Sequence, residues 1–313
     1  MRLNAVEYNY CNDLLQFKSL DSCRKYLDLL LELLFDIIGQ HHKDPVSDQM
    51  EADARIYVQL YFSRLLNFRT LLDGVSFKGK NGALNPIIDP SVLFTETRGL
   101  FESLSVFELV WVVPNSFEKR WLMHKLFTIA GMHERQEFSI YNDTLKQVLL
   151  QERVNMERLI GGVKQSGIYL SLDKQNREKI DNNIRSGKFR IYLNDLSHIT
   201  KADWDDSRQY FGMDISLFDD MYRFFSLHAH PSSIAIWQFE DAFQKENPEF
   251  VNLAKTAVRF AVAISSIFIA DYIKSYPDTR STYNVLLPYQ KMLVDRYNSL
   301  CRGKKYAIFE DKD

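Results

Sequence analysis

Apolar and polar residues follow each other with the period of an α-helix over most of the chain. In residues 20–39 a leucine-rich stretch is interrupted by Asp28, Glu32 and Asp36, which recur every four residues and therefore share one helix face. A second helix is expected over residues 46–72, between an Asp-Pro start and an Asp-Gly end. The first 74 residues therefore predict a hairpin of two long helices.

Glycine and proline cluster in residues 75–90, where we expect a linker loop. Helical patterns return after it and continue almost to the end of the chain. The predicted domains are therefore an N-terminal helical hairpin (1–74), a linker (75–90) and a C-terminal helical bundle (91–313). The later helices are expected over 91–113, from a cap at Asn115-Ser116 to about Ala130, and over 144–160, 213–229, 232–245, 248–275 and 282–301, with a short solvated helix around residues 174–179. Residues 189–193 alternate weakly, a pattern compatible with an extended segment.

Composition supports an all-α multi-helix bundle. The 313 residues include only 12 glycines and 8 prolines, about half the usual share. All-β and dinucleotide-binding α/β folds need many tight turns, so this scarcity argues against them. The net charge of −2 disfavours strong nonspecific binding to nucleic acid but leaves a local basic patch open.

Cysteine usage favours a reducing, cytoplasmic setting. Cys11, Cys23 and Cys301 lack metal-type spacing, and an odd count is unusual for a disulfide framework. The N-terminus lacks the apolar core of a signal peptide. Residues 260–270 are apolar but shorter than the roughly 20 residues that a membrane span needs. We therefore expect a core helix there and no membrane partner.

Familiar catalytic and cofactor motifs are absent from the sequence. It contains no GxxxxGK[ST] phosphate loop, no GxGxxG, no GxSxG elbow and no HExxH. The adjacent His41 and His42 could bind a metal, but exposed polar residues explain them better. No cofactor and no metal site are therefore predicted.

The most informative segment lies in the last third of the chain. Tyr222, Ser226 and His230 recur every four residues, which places them on one stripe of a helix, and Arg223 adjoins that stripe. His228 lies in the same segment. Polar groups inside an otherwise aromatic helix cost desolvation free energy unless they are paired, so a polar partner is expected opposite them.

The best partner is an earlier helix that contains Arg98 and Glu102, spaced four residues apart. Gly99 in its middle costs about 1 kcal/mol relative to alanine, which is reasonable if another helix packs closely there. We therefore expect this helix to cross the later one, with Glu102 near Arg223 or His230.

These two segments, RGLFE at 98–102 and YRFFSLHAHPS at 222–232, resemble the bacterial helical family DUF5677. That family is similar in turn to the HEPN nucleases, and the resemblance covers roughly residues 89–275. It implies a HEPN-like core, a metal-independent endoribonuclease acting on RNA, a homodimer and a role in bacterial defence.

HEPN nucleases use an arginine followed, after four to six residues, by a histidine. Arg223 fits with either His228 or His230, and the family's Tyr-Ser-His spacing favours His230. The resemblance thus implies that Arg223 binds phosphate and His230 transfers the proton, chemistry that suits these side chains. The supporting residues would be Tyr222, Ser226, His228, Glu102 and Arg98.

Two other interpretations stay open. Arg223 and His230 could complete a buried polar network with Glu102 that only fixes helix register. The chain could also be a non-catalytic helical module that binds a protein or a nucleotide. An open cleft or a twofold interface at Arg223 and His230 would favour catalysis, whereas burial of both would favour the other two interpretations.

Overall fold

The computed structural model describes residues 4–193, 195–203, 210–213, 220–229, 232–242 and 248–308. Within these residues the chain forms thirteen α-helices and two small strand pairs, which confirms the predicted all-α multi-helix class. The α-helices are α1 (Ala5–Leu15), α2 (Leu20–His41), α3 (Gln49–Leu71), α4 (Pro90–Phe107), α5 (Phe117–Gln136), α6 (Asp143–Gln165), α7 (Gly167–Ser171), α8 (Lys174–Arg185), α9 (Met221–Ala229), α10 (Ser233–Ala242), α11 (Pro248–Ser275), α12 (Arg280–Asn284) and α13 (Pro288–Arg302). The strands are β1 (Val75–Lys78), β2 (Ala83–Ile87), β3 (Ile191–Tyr192) and β4 (Thr200–Lys201).

Short polar side chains begin several of these helices. Asp48 accepts the backbone N–H of Glu51 at the start of α3, and Ser116 accepts that of Lys119 at the start of α5. Such caps satisfy N–H groups that have no partner within the helix. The observed start of α3 lies three residues after the predicted one, because Asp48 caps the helix whereas the prediction placed the start directly after Asp44-Pro45.

Contacts divide the chain into two compact units. Unit 1 comprises residues 1–105 and 212–313, and unit 2 comprises residues 106–211. The predicted division at residues 75–90 therefore does not coincide with the boundary between the units. The N-terminal hairpin belongs with the C-terminal helices, since Tyr61 of α3 stacks on Phe268 of α11 at 3.8 Å between ring centroids.

The predicted linker loop at residues 75–90 is wrong. This segment forms the antiparallel pair β1–β2, closed where Gly79 N–H donates to the carbonyl of Gly82 at 2.9 Å. Val75 and Phe77 alternate as strand residues do, whereas the glycines and prolines dominated the loop prediction. Pro86 is compatible with β2 because the pair has only edge strands.

Unit 2 contains α5 to α8 and the strands β3 and β4. A π-helix (Glu108–Val112) directly follows α4 and contacts α5, which also packs against α6. Asn176 of α8 donates to the carbonyls of Leu196 and Ser197, each at 3.1 Å, and so holds the β3–β4 connection against the helix. The weak alternation near residue 191 therefore corresponds to a real but very short strand.

Helix α11 is the most apolar long helix among the described residues. Its segment Val251–Ser275 is long and apolar enough to cross a membrane, yet 72% of its most apolar stretch is buried within the protein. Burial agrees with the predicted core helix. The absence of a membrane partner stays a prediction.

The three cysteines are buried, and none forms a disulfide. Burial raises the pKa of Cys23 to about 11, which keeps its thiol protonated at neutral pH. Cytoplasmic localisation stays a prediction.

Candidate functional site

Helices α4 and α9 bring the two sequence motifs together within unit 1. Phe94 of α4 stacks on Phe225 of α9 at 5.5 Å between ring centroids, and Phe101 lies 6.1 Å from the ring of Tyr222. These aromatic contacts bury the apolar side of α9 against α4. The expected pairing of the two segments is therefore present in the structure.

A three-residue polar cluster links these helices. Arg98 Nε donates to Glu102 Oε1 at 2.9 Å, and Arg98 Nη2 donates to the Tyr222 hydroxyl at 3.0 Å. The Tyr222 hydroxyl donates in turn to Glu102 Oε1 at 3.3 Å. The Arg98 guanidinium also lies 5.0 Å from the centre of the Tyr222 ring. We call these three residues the Arg98 cluster.

The Arg98 cluster is only partly shielded from solvent. The side chains of Arg98 and Glu102 are 24% and 31% exposed. Partial burial, followed by the nearby Glu102 carboxylate, raises the pKa of Tyr222 above its ordinary value. The tyrosine is therefore a neutral hydroxyl at physiological pH, able both to donate and to accept a hydrogen bond.

Arg223 does not join this cluster, so the first of the two expected neighbours of Glu102, Arg223 or His230, is wrong. Its side chain is 78% exposed, and its ion pair is with Asp220, at 3.4 Å and equally exposed. Tyr222 occupies the position opposite Glu102 instead. Consecutive residues of an α-helix point about 100° apart. Arg223 directly follows Tyr222, so it faces solvent when Tyr222 faces α4.

His228 is buried and does not share the solvent-facing position of Arg223. Only 6% of the residue is exposed, and its ring lies 4.7 Å from Phe94 and 4.9 Å from Phe224 between centroids. Its Nδ1 is 2.9 Å from the carbonyl oxygen of Phe224, one helical turn earlier. Two Arg–His pairs were predicted, Arg223 with His228 and Arg223 with His230. In the first pair Arg223 lies at the surface and His228 in the interior, so these two side chains do not form one site.

His230 lies outside the described residues. Helix α9 ends at Ala229, so the pairing of Arg223 with His230 stays a prediction from the sequence. Ser226, which was expected to help orient the site, donates to the carbonyl of Tyr222 at 2.7 Å within its own helix.

Sequence reasoning missed the contribution of α3 to this region. Arg64 donates to the carbonyl of Gly99 at 3.1 Å and also contacts Ser103. A Cβ at Gly99 would meet the Arg64 guanidinium at 3.9 Å, an ordinary contact distance. The expected close helix packing at Gly99 is therefore wrong. No local sequence pattern signals Arg64, because its partners lie at least 35 residues away along the chain.

His41 also differs from its prediction as an exposed residue. It is 7% exposed, and the Tyr272 hydroxyl lies 2.7 Å from its Nε2, whereas His42 is exposed as expected. Within the part of the chain that the structure describes, no group of three or more histidine, cysteine or carboxylate side chains could hold a metal ion.

Comparison of the chain with protein-family models, curated proteins and solved structures finds no match. The resemblance to DUF5677 and to HEPN nucleases therefore rests on the two short motifs alone.

Proposed function

We propose that this protein is a metal-independent endoribonuclease of HEPN type, with its site on the solvent-facing side of α9. The observation that carries the proposal is the 78% exposed side chain of Arg223. A guanidinium in this position can make a forked contact with an RNA phosphate. Its present partner, Asp220, is equally exposed, and such surface pairs contribute only about 0–1 kcal/mol.

The cleavage needs one base and one acid. A histidine removes the proton from the ribose 2′-hydroxyl, whose oxygen attacks the phosphorus, and the bond to the 5′ oxygen breaks as that oxygen receives a proton. The products are a 2′,3′-cyclic phosphate and a 5′-hydroxyl. His230 is the proposed proton-transfer group because imidazole titrates near neutral pH, and Arg223 neutralises charge on the phosphate.

A single chain supplies one such arginine and histidine. A symmetric homodimer would place a second copy of both across a twofold axis, so that one histidine acts as base and the other as acid. In this proposal the Arg98 cluster is a positioning element, because its hydrogen bonds fix how α9 lies on α4.

The test is digestion of single-stranded RNA in EDTA by the wild type and by His230→Ala and Arg223→Ala variants of equal thermal stability. The proposal expects each variant to lose about 100-fold or more of the activity. His42→Ala removes an exposed histidine and should cut normally. The proposal would be overturned if His230→Ala cut RNA as fast as the wild type. It would also be overturned if EDTA by itself abolished the activity of the wild type.

A non-catalytic binding module is the second candidate. His228 is buried, and Arg98, Glu102 and Tyr222 form hydrogen bonds with one another. Both observations suit a structural role for these residues rather than a catalytic one, and this favours a protein without enzymatic activity. This candidate expects no RNA products from any form of the protein. Products whose yield depends on His230 would exclude it.

A further inference from the structure

The outer side of the helical hairpin α2–α3 exposes large apolar residues to solvent. Phe35 of α2 is 64% exposed, and Leu66 of α3 is 42% exposed. Phe62 of α3 is half-buried, and its ring lies 5.8 Å from that of Phe35 between centroids. Phe62 and Leu66 are one helical turn apart, so they lie on the same side of α3. We call Phe35, Phe62 and Leu66 the Phe35 face.

The outer side of α3 next to the Phe35 face is uncharged. Ile56 and Leu60 are exposed apolar residues there, and Gln59 and Ser63 are exposed but neutral. Arg64 is the one charged residue in positions 56–68 of the sequence, and its guanidinium is bonded to α4. A helix face in contact with water normally carries charged residues, whereas the centre of a protein interface is depleted of them. The composition of this surface therefore favours contact with another protein.

Carboxylates border the Phe35 face on the α2 side. Asp28, Glu32 and Asp36 recur every four residues, so they form a stripe along one side of the helix. Asp28 pairs with Arg69 of α3 at 2.8 Å, and Lys25 pairs with a carboxylate in the first turn of α2. Glu32 and Asp36 are exposed, and within the described part of the chain neither forms an ion pair. The border of the Phe35 face therefore carries two negative charges that no nearby cation neutralises.

We propose that this surface binds an amphipathic helix of another protein, one with a basic flank. Apolar residues of the incoming helix, spaced three or four apart, would cover the Phe35 face. Lysines or arginines on its flank would pair with Glu32 and Asp36. Charge complementarity therefore defines the partner.

The same charges disfavour two other occupants. An RNA strand would bring its phosphates close to Glu32 and Asp36. In a symmetric pair of this chain the same patch meets itself, so the carboxylates of both copies would crowd together. The inference does not depend on the proposed nuclease, because it uses no residue of α4 or α9.

Calorimetric titration with synthetic peptides tests the proposal. The probe is a helical peptide of about five turns with leucines on one face and lysines on the other. One control peptide has glutamates in place of the lysines, and another has the leucines and lysines in scrambled order. We expect the probe to bind with a Kd below about 100 μM, at least tenfold more tightly than either control. The proposal is overturned if the probe does not bind in this range or if the scrambled peptide binds equally well.

Charge-matched variants locate the binding. The double variant Glu32→Gln with Asp36→Asn removes the two unpaired carboxylates and should weaken binding of the probe at least tenfold. Glu157→Gln with Glu178→Gln removes the same net charge from exposed positions of α6 and α8 and should bind as the wild type does. Equal losses in the two double variants would mean that net charge alone attracts the peptide, and the proposal would fail.

The apolar contact has its own test. Phe35→Ser removes the most exposed ring of the Phe35 face and should weaken binding about tenfold. Phe138→Ser makes the same change at an exposed position between α5 and α6 and should have no effect. Wild-type affinity in Phe35→Ser would exclude the Phe35 face as the site. Sedimentation of the wild type and Phe35→Ser tests the other occupant, because self-association that is lost in Phe35→Ser would assign the surface to a second copy and overturn the proposal.

Discussion

Two arginine–carboxylate clusters in unit 1 share the same chemistry but differ in their exposure. The Arg98 cluster joins α4 to α9 with side chains that are 24% and 31% exposed. Arg302 of α13 and Asp271 of α11 form the other pair, and their side chains are only 1% and 5% exposed. A charged pair taken out of water must be satisfied almost completely, whereas a partly exposed pair can exchange partners with solvent.

The buried pair has additional partners on several sides. Arg302 donates to both oxygens of Asp271 and, through Nε, to Asn298 Oδ1 at 2.9 Å. The Tyr306 ring covers the guanidinium at 4.5 Å from its centroid. Since every one of these contacts is internal to the protein, the buried pair serves to fix α13 on α11.

The comparison shows that residue type alone does not identify a functional site. Both clusters combine an arginine, a carboxylate and a tyrosine. Only the Arg98 cluster is open to solvent and adjoins an exposed arginine, Arg223. For this reason the proposed function is placed on α9, and the buried cluster is interpreted as structural.

The largest expected effect is that of Arg302→Met. It leaves the Asp271 carboxylate buried without its cation, so the free energy of unfolding should fall by about 3–5 kcal/mol. Arg98→Met is the matched change in the other cluster and should cost about 1 kcal/mol or less, because water can reach Glu102. Urea unfolding measures both. Equal losses for the two variants would break the comparison.

A smaller loss is expected from Gly212→Ala, which disturbs the cover of the buried pair. Gly212 has a φ of +73°, and a Cβ there would lie 2.1 Å from the Tyr306 hydroxyl oxygen. Both the backbone strain and the displaced ring are unfavourable, and we expect destabilisation by about 1–3 kcal/mol. Gly131→Ala in α5 meets nothing within 4 Å and should stabilise the helix by up to about 1 kcal/mol. Thermal unfolding distinguishes the two, and a neutral Gly212→Ala would contradict the described position of Tyr306.

His41 is another buried polar residue of unit 1, and it should respond to acid. Burial, and then the nearby Arg55 guanidinium, lower the pKa of His41 below its ordinary value of 6.5. The unfolded chain therefore takes up a proton at higher pH than the folded protein does. The stability contributed by neutral His41 is complete above about pH 6.5 and is lost as the pH falls below it.

The measurement for His41 is urea unfolding between about pH 7 and pH 5. His41→Gln keeps an acceptor for the Tyr272 hydroxyl and should reduce the loss of stability across this range. His42→Gln changes an exposed histidine and should follow the wild type. If the slopes of the wild type and His41→Gln agree, titration of His41 is not the cause.

Local patterns predicted most of the long helices because their signals lie within a few residues. They missed α1, and the single helix expected over 282–301 is wrong, because residues 285–287 separate α12 from α13. Charges spaced four apart in α2 and the Asp-Gly end of α3 are examples. The β1–β2 pair was missed because glycine and proline outweighed two alternating apolar residues, Val75 and Phe77, in the interpretation.

The candidate site was only partly predictable. Sequence spacing identified Arg98, Glu102 and Tyr222 as members of interacting segments. It did not distinguish the buried side of α9 from its exposed side, because Tyr222 and Arg223 are adjacent and both are polar. Which of the two residues contacts Glu102 depends on the orientation of α9 about its own axis as it packs against the aromatic residues of α4. This orientation is set by tertiary packing and not by local sequence.

The smallest expected effect is that of Tyr222→Phe, which tests whether the Arg98 cluster is itself a structural element. This change removes the hydroxyl that forms hydrogen bonds with Arg98 and Glu102. Arg98 and Glu102 remain paired with each other and are accessible to water, so the free energy of unfolding should fall by about 1 kcal/mol or less. Tyr61→Phe is the matched control, because its fully buried hydroxyl lies 3.0 Å from Ser265 Oγ and its loss should cost about 1–3 kcal/mol. Urea unfolding of both variants decides the matter. If Tyr222→Phe is as costly as Arg302→Met, the Arg98 cluster fixes the fold as firmly as the buried pair does, and the contrast between the two clusters disappears.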